Sequence, residues 1–409
     1  GRRSMRSIRK GYILAPLLSA LWAITIVWCL SVISSFSTGE AFKPNVLLTS
    51  LSGLTVGLVC SRIKGYKKNH KLGIFLLLFV ALVVLSPITR LTDKHYNNLE
   101  FFLNSFFSVI LIISASKMLR DIDFYELTRH QFEGYIIKFL TNFGYIFFTA
   151  IVAIPFYMMV MTSLKNQSEL LLNPLNFSID FSKGYDLFRS YTELFSDFNF
   201  GSYIITSFFV SIFTVIITLL FAIPGAYAVA RLRFKGRGLF SSSILLIYMV
   251  PLIVLALPIY VGFSLFGLRN SVLGILMIYP VTTIPVALYM LQGYFRTVPT
   301  EIEESGLMDG LSRISVILKI TLPLSLPSIV SVSLYVFMIA WNEFLLAFML
   351  LDDPSKFTIT RGVAMLDSSE VPRQHLMAGS VVATIPVMLM FLLLEKYLRQ
   401  GLTAGSIKG

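Results

Sequence analysis

Polar residues able to do chemistry fall in a few short clusters of an otherwise apolar chain. The first is Glu303-Glu304-Ser305-Gly306-Leu307-Met308-Asp309-Gly310, followed after nine intervening residues by Ile320-Thr321-Leu322-Pro323. Thr300 and Glu303 have capping-box spacing, with Pro299 just before them. Glu301, Glu303 and Glu304 then fall in the first turn of a helix, where the helix dipole favours acids. Gly310 is placed to end that helix, since glycine readily takes the left-handed conformation at helix ends. Ser312 can cap a second short helix that turns Ile314, Ile317 and Leu318 towards one side, and Pro323 and Pro327 stop it. Two short arms about a glycine form an elbow that can fit a cleft in a partner and transmit force. Small Ser305 and Gly306 let a partner's surface come close. Glu304 suits a basic group, arginine above all, because the planar guanidinium pairs well with carboxylate. A solvated surface loop with ordinary caps is the plainer alternative. The small pair, Asp309-Gly310 and Ile320-x-Leu322-Pro323 favour docking over it.

A second cluster, Trp341-Asn342-Glu343, lies deep in an apolar stretch. An ionisable group there is costly and by default faces a cavity. Hydrogen-bonding groups beside an aromatic face suit a sugar, although a hydrogen bond to a neighbouring helix explains them as well. Gln292 is a weaker candidate of the same kind. Asp352-Asp353 could hold a metal in a membrane-embedded transferase, but no supporting acidic or basic constellation accompanies the pair. No catalytic residue is assigned. The end of the chain, Gly401-Leu402-Thr403-Ala404-Gly405-Ser406-Ile407-Lys408-Gly409, is small and flexible, with Leu402 and Ile407 as anchors and Lys408 as a cation.

The elements that carry these clusters must cross a membrane. Of 409 residues, 56% are hydrophobic and only 14% charged, and mean hydropathy is +0.77. A soluble domain carries about 25% charged residues, so this chain cannot cover itself in water. Its apolar runs approach the ~20 residues that span a hydrocarbon core. Ten spans are expected, at 12–36, 45–61, 72–89, 100–117, 141–164, 202–230, 239–265, 271–294, 326–350 and 376–395. The second is the weakest, being short and containing Ser52, Gly53 and Gly57. The net charge of +12 gathers at the ends of spans rather than along one surface, which argues against nucleic acid and for the positive-inside rule. Basic stretches at the N-terminus, 62–68, 117–138, 231–237, the elbow and the tail fall on one side under an even count, so both termini are expected in the cytoplasm. Cys29 and Cys60 read as small buried hydrophobes, and the four histidines lack zinc spacing. The basic start could pass for a signal peptide, but the run 12–36 is longer than an h-region and suggests an uncleaved first span.

A boundary falls near residues 118–138, between four leading spans and six following ones, where Met118 to Leu127 mix charge with apolar residues and suggest an amphipathic surface helix. Pro155, Pro224-Gly225, Pro251, Pro258, Pro280, Pro285 and Pro386 lie within spans. Bent helices suit a cavity that opens alternately to two sides, although membrane helices tolerate proline generally.

On these residues the chain resembles the membrane subunits of ATP-binding-cassette importers, whose cytoplasmic coupling loop, the EAA loop, has the spacing found at 304–323. Residues 141–409 are similar to the maltose-type permease subunits of carbohydrate importers. The similarity is carried by Ala226-Tyr227-Ala228-Val229-Ala230-Arg231-Leu232-Arg233-Phe234-Lys235-Gly236, the coupling loop, Trp341-Asn342-Glu343-Phe344 and the tail. The tail resembles that of the G-type subunit of the maltose importer, which reaches the interface between the two ATPase subunits. Two departures stand out. Ser305-Gly306 replaces the usual Ala-Ala, and the four N-terminal spans exceed the usual six-span plan.

The apolar runs and the resemblance together lead us to expect an all-α polytopic membrane protein of about ten transmembrane helices, six of them an importer permease core. Residues 1–134 would form a four-span extension with its linker, and residues 135–409 a type I importer permease domain with a coupling loop at 297–324. It implies ATPase coupling through Glu303, Glu304, Ser305, Gly306, Asp309, Gly310, Ile320, Leu322 and Pro323, and an ATPase-interface tail from Gly401, Leu402, Thr403 and Ala404 to Gly405, Ser406, Ile407 and Lys408. Trp341, Asn342 and Glu343 remain translocation-pathway candidates, since the sister F-type subunit chiefly holds the sugar in that family. The loop from Leu351 to His375 would meet an extracytoplasmic sugar-binding protein. ATP and Mg would be bound by partner ATPases, with no cofactor in this chain. The expected function is a multi-pass permease of the cytoplasmic membrane that imports a di- or oligosaccharide. The alternatives are an importer of a polyol, glycerol-phosphate or amino sugar, a secondary transporter, or the membrane-embedded transferase.

Overall fold

In lipid every backbone N–H and C=O must be satisfied within the protein, and this chain does so almost wholly with helices. A computed structural model describes residues 9–63, 68–90, 97–120, 122–173 and 176–404. It divides into two compact units, 1–184 and 185–409. The expected division after residue 134 therefore falls inside a helix of the first unit.

The first unit contains α1 (Gly11–Thr38), β1 (Phe42–Pro44), α2 (Val46–Arg62), α3 (Lys68–Leu85), β2 (Ile88–Arg90), α4 (Asn97–Met118), α5 (Arg129–Ser163) and α6 (Gln167–Leu172). The features that made the second span look weak, Gly53 and Gly57, let α2 lie directly on α1. A Cβ at Gly53 would stand 2.4 Å from the Ala20 Cα, and one at Gly57 2.4 Å from the Ala15 carbonyl oxygen. Small residues four apart allow this approach, which apolar attraction alone does not drive in lipid. Trp22 ties α1 to α4 by donating Nε1–H to Ser114 at 2.8 Å. The third expected span stops short at Leu85, and Ile88–Arg90 instead pairs antiparallel with Phe42–Pro44. Asn104 holds β2 by accepting from the Ile88 N–H and donating to its carbonyl, both at 3.0 Å.

The surface helix expected over Met118 to Leu127 does not form. After α4 the described backbone is irregular until a capping box of Thr128 and Gln131 starts α5. Backbone bonds from Gly11 to Tyr125, Tyr12 to Phe124 and Leu127 to Arg9 hold it, and Leu119, Ile122 and Leu127 are buried. These three side chains face the unit's core, and the resulting ties to residues 9–12 compete with helix.

The second unit contains α7 (Arg189–Ser196), α8 (Phe200–Arg231), α9 (Arg237–Tyr248), α10 (Leu252–Leu265), α11 (Val272–Phe295), α12 (Thr300–Met308), α13 (Arg313–Val316), α14 (Leu326–Asn342), α15 (Leu345–Leu350), α16 (Ile359–Leu366) and α17 (Arg373–Ala404). α8 packs on α11 and α14, and α14 on α17. Ser207, Ser211, Thr214 and Thr218 form a buried stripe along α8. Their small side chains let neighbouring helices close in, and Thr218 meets Thr283 of α11 at 2.6 Å between hydroxyls.

Among the described residues, six helices are long and apolar enough to cross a membrane. The pair Arg313–Leu324 and Leu326–Asn342, bent by 77°, makes a seventh candidate, and Val46–Arg62, His70–Leu85 and Leu252–Leu265 are shorter apolar helices. The fold is thus that of an all-α polytopic membrane protein. Two expected spans are broken. The run 239–265 divides before Pro251, which caps α10, and 326–350 divides at Glu343-Phe344.

Candidate functional site: a braced elbow

α11 delivers the chain to the elbow. Its first arm, α12, begins directly after Pro299 and has no side-chain cap. The expected capping box from Thr300 to Glu303 is therefore absent, because the Glu303 side chain turns into the protein instead. Glu303 Oε2 accepts from the Tyr227 hydroxyl at 3.1 Å, and Oε1 accepts from the Thr321 hydroxyl at 3.0 Å. Arg231 places Nε 3.4 Å from Oε1, as an ion pair rather than an aligned hydrogen bond, with both side chains 8% exposed. An Arg231 terminal nitrogen also donates to the Val298 carbonyl. One buried carboxylate thus joins the end of α8, the first arm and the second arm.

The next residue points the other way. Glu304 is exposed, as are Glu301, Ser305 and Asp309. Ser305 donates its hydroxyl to the Glu301 carbonyl at 2.8 Å, so its polarity is absorbed by its own helix. Gly306 is buried against the second arm, and a Cβ there would stand 2.5 Å from Ile320 Cδ1. The close approach at this glycine is met from inside the elbow, by Ile320. Gly310 ends the arm with φ +86°. The Gly310 and Leu311 N–H groups donate back to Leu307 and Gly306, each at 3.1 Å.

Ser312 caps α13 as expected, accepting from the Ser315 N–H at 3.3 Å. The second arm then widens into a π turn over Ile317–Thr321 and ends at Leu324. Ile314 and Leu318 are exposed, but Ile317 packs inward on the cluster that holds Phe295 and Tyr227. The expectation that all three face one way fails because the π turn rotates Ile317 away. Met308, 87% exposed, adds an outward apolar side chain on the arm of Glu304 and Asp309 to those of Ile314 and Leu318 on the second arm. Leu322 is half-buried and Pro323 exposed. Tyr227, Arg231, Thr321 and Met308 were given no role by sequence reasoning. The four-residue spacing of Tyr227 and Arg231 at a helix end was the available signal.

The trio in the membrane does not converge. Trp341 is 1% exposed, stacks on Phe337 and donates Nε1–H to the Ala383 carbonyl at 3.0 Å. Asn342 is exposed and donates to the Met338 carbonyl at 2.9 Å. Glu343 accepts from the Leu346 and Ala347 N–H groups at 2.8 and 3.1 Å, so its carboxylate starts α15 at the helix break. Gln292 exchanges hydrogen bonds with Ser241 of α9 and joins two helices.

Asp352 and Asp353 have separate occupations. Asp352 pairs with Arg269 at 2.5 Å. Asp353 accepts from the Ser355 N–H at 3.0 Å and hydroxyl at 2.8 Å, which hold its carboxyl below the usual range. Metal ligation by this pair, as the transferase reading requires, would have to break both arrangements. In the tail, residues 401–404 continue α17 as helical backbone, and Gly405 to Gly409 lie outside the described residues.

A polytopic helical protein with an elbow braced to its spans and an acid on the outer face defines a class, the permease subunits of transporters powered by another chain. This chain belongs to the family of binding-protein-dependent transport system inner membrane components, whose model matches residues 219–403. It is 35% identical over 270 residues to the inner membrane ABC transporter permease protein YcjP of Escherichia coli K12, covering 65% of this chain and 95% of that protein. It is 32% identical over 281 residues to the trehalose/maltose transport system permease protein MalG of Thermococcus litoralis, covering 68% and 99%. Its fold is similar to that of a solved bacterial ABC transporter that imports the acidic polysaccharide alginate, with TM-score 0.55 and 21% identity over 66% of this chain and 98% of the other. The protein is a transport subunit and not an enzyme.

Proposed function

We propose that this chain is the G-type permease subunit of a carbohydrate importer, and that it moves a di- or oligosaccharide across the cytoplasmic membrane with both termini inside. One observation carries the reading. Adjacent glutamates on the first arm face opposite ways, Glu303 buried in the brace and Glu304 exposed. A rigid arm that presents a carboxylate beside Met308, Ile314 and Leu318 has the make-up of a docking face for a partner with an apolar cleft and a basic rim.

The partners are two ATPase subunits, which bind ATP and Mg, a second, F-type permease and an extracytoplasmic sugar-binding protein. ATP binding draws the ATPases together. The brace from Glu303 to Tyr227, Arg231 and Thr321 then carries the elbow's displacement into α8 and α14, a switch between two states biased by ligand. Asn342, the exposed member of the trio, is the pathway residue, while Trp341 and Glu343 shape the helices around it. The similarity to a trehalose/maltose permease supports a sugar as cargo.

ATP-dependent uptake of a labelled disaccharide into vesicles that hold all the partners tests the reading, and uptake without ATP would favour a secondary transporter. Removing residues 402–409 tests the G-type assignment. The truncated chain should insert and assemble but lose binding-protein-stimulated ATP hydrolysis and uptake together. Wild-type transport after truncation would make the tail passive and overturn that assignment.

A further inference from the structure

The first unit carries a basic cleft to which the transport reading assigns no role and which lies outside the matched residues 219–403. α5 has 35 residues, roughly 50 Å at 1.5 Å per residue, which exceeds the ~30 Å hydrocarbon core. Its polar first turns therefore stand outside the apolar layer. Lys138 lies nine residues beyond the helix start, and it lines one cleft with Lys117, in the last turn of α4. The cleft thus joins the last turn of α4 to the early turns of α5.

The cleft measures about 540 Å³. Trp22, Ile137, Tyr145 and Ile146 form an apolar wall, and Ser114, Thr141 and Asn142 add hydrogen-bonding groups. Ile137 is 61% and Tyr145 69% exposed, so the wall continues onto a surface open to lipid. Lys138 stands 5.3 Å from the centre of the Tyr135 ring, and among the described residues no carboxylate lines the cleft. On its other side Lys117 lines a second cleft, of about 400 Å³, with Lys71 and Arg120. Lysine charge beside an apolar wall complements one kind of molecule.

We infer that Lys117 and Lys138 bind the phosphate of an anionic glycerophospholipid whose chains lie along Trp22, Ile137, Tyr145 and Ile146. A basic pocket between membrane helices selects such headgroups because each lysine near the surface attracts an anionic lipid. A soluble phosphate compound would leave the apolar wall unused. The site holds α1, α4 and α5 to acidic lipid.

Native mass spectrometry of the full-length chain in detergent tests this, with phosphatidylglycerol and phosphatidylcholine of identical chains added at equal concentration. Phosphatidylglycerol should be retained in preference by roughly ten- to thirty-fold, as two lysines would give. Lys117→Gln with Lys138→Gln should abolish the preference, Lys117→Arg with Lys138→Arg should keep it, and Lys43→Gln, at exposed Lys43 on β1, should leave it unchanged. Unchanged thermal melting of the glutamine pair would show that the loss is not unfolding. Equal retention of the two lipids, or an undiminished preference in the glutamine pair, overturns the proposal. Displacement of phosphatidylglycerol by an equal concentration of inorganic phosphate also overturns it, since the site would then recognise phosphate alone. None of these readings involves uptake, so failure here leaves the transport function standing.

Discussion

Glu303 accepts a 3.1 Å hydrogen bond from the Tyr227 hydroxyl, although 76 positions separate the two residues in the chain. Tyr227 lies four residues before the end of α8 and Glu303 in the first turn of the elbow, so this bond fastens a span to the arm that projects from it. Arg231 and Thr321 complete the fastening.

Removal of the carboxylate should loosen that joint. Glu303→Ala leaves Arg231 without its buried partner, a change that typically costs about 3–5 kcal/mol. The detergent-solubilised chain is expected to melt earlier, and uptake to fall with it. Glu303→Gln keeps an oxygen for the Tyr227 hydroxyl and should melt between the two. Equal melting of Glu303→Ala and wild type would remove the brace from the mechanism.

Glu304 should behave in the opposite way. Its side chain is exposed, so Glu304→Lys is expected to leave thermal stability within about 0.5 kcal/mol of wild type, as surface substitutions usually do. Uptake, and the response of ATP hydrolysis to binding protein, should be lost because the reversed charge meets a basic partner. Normal coupling in this variant would show that the exposed acid is not a docking group.

Gly306 and Ile320 form a matched pair. Gly306→Ala gains about 1 kcal/mol of helix propensity but drives a methyl to within 2.5 Å of Ile320 Cδ1, and overpacking typically costs about 1–3 kcal/mol. A small net loss of stability is expected, recovered by shortening the partner in the double variant Gly306→Ala, Ile320→Val. No recovery would mean that Ile320 is not what excludes the methyl. Gly310→Val acts differently. Space there is open, but φ is +86°, and the left-handed conformation costs about 1–2 kcal/mol for an L residue.

Acid should weaken the join between α7 and α17. Glu193 Oε1 receives Arg189 Nε at 2.6 Å, and Oε2 lies 2.8 Å from His375 Nε2. The Arg189 hydrogen bond first, and His375 second, hold the Glu193 carboxyl below its ordinary value. Its contribution is therefore complete above the unfolded value of about 4.3 and is lost as pH falls through the lower folded value. Melting temperature followed from pH 6 down to pH 3 should drop more steeply in wild type than in Glu193→Gln. Parallel curves would remove Glu193 from the acid response.

Sequence alone determined the class of this protein and the place of its working part. Long apolar runs leave the backbone no choice but helix in lipid, so helix occupies most of each expected span. The elbow was legible for a local reason. Pro299, Gly310 and Ser312 act within a few residues of themselves, whereas Gly306 meets Ile320 from the second arm. Tertiary structure decided which way side chains face. The capping-box reading of Glu303 failed because spacing along one helix contains no information about Tyr227 or Thr321, which reach the carboxylate from other elements. Trp341, Asn342 and Glu343 looked like one site because they are adjacent in the chain, and a helix break sends them in different directions. The glycines of the second span looked like weakness until α1 lay against them. A buried polar group takes its partner from whatever the fold brings near, and that information resides in the packing.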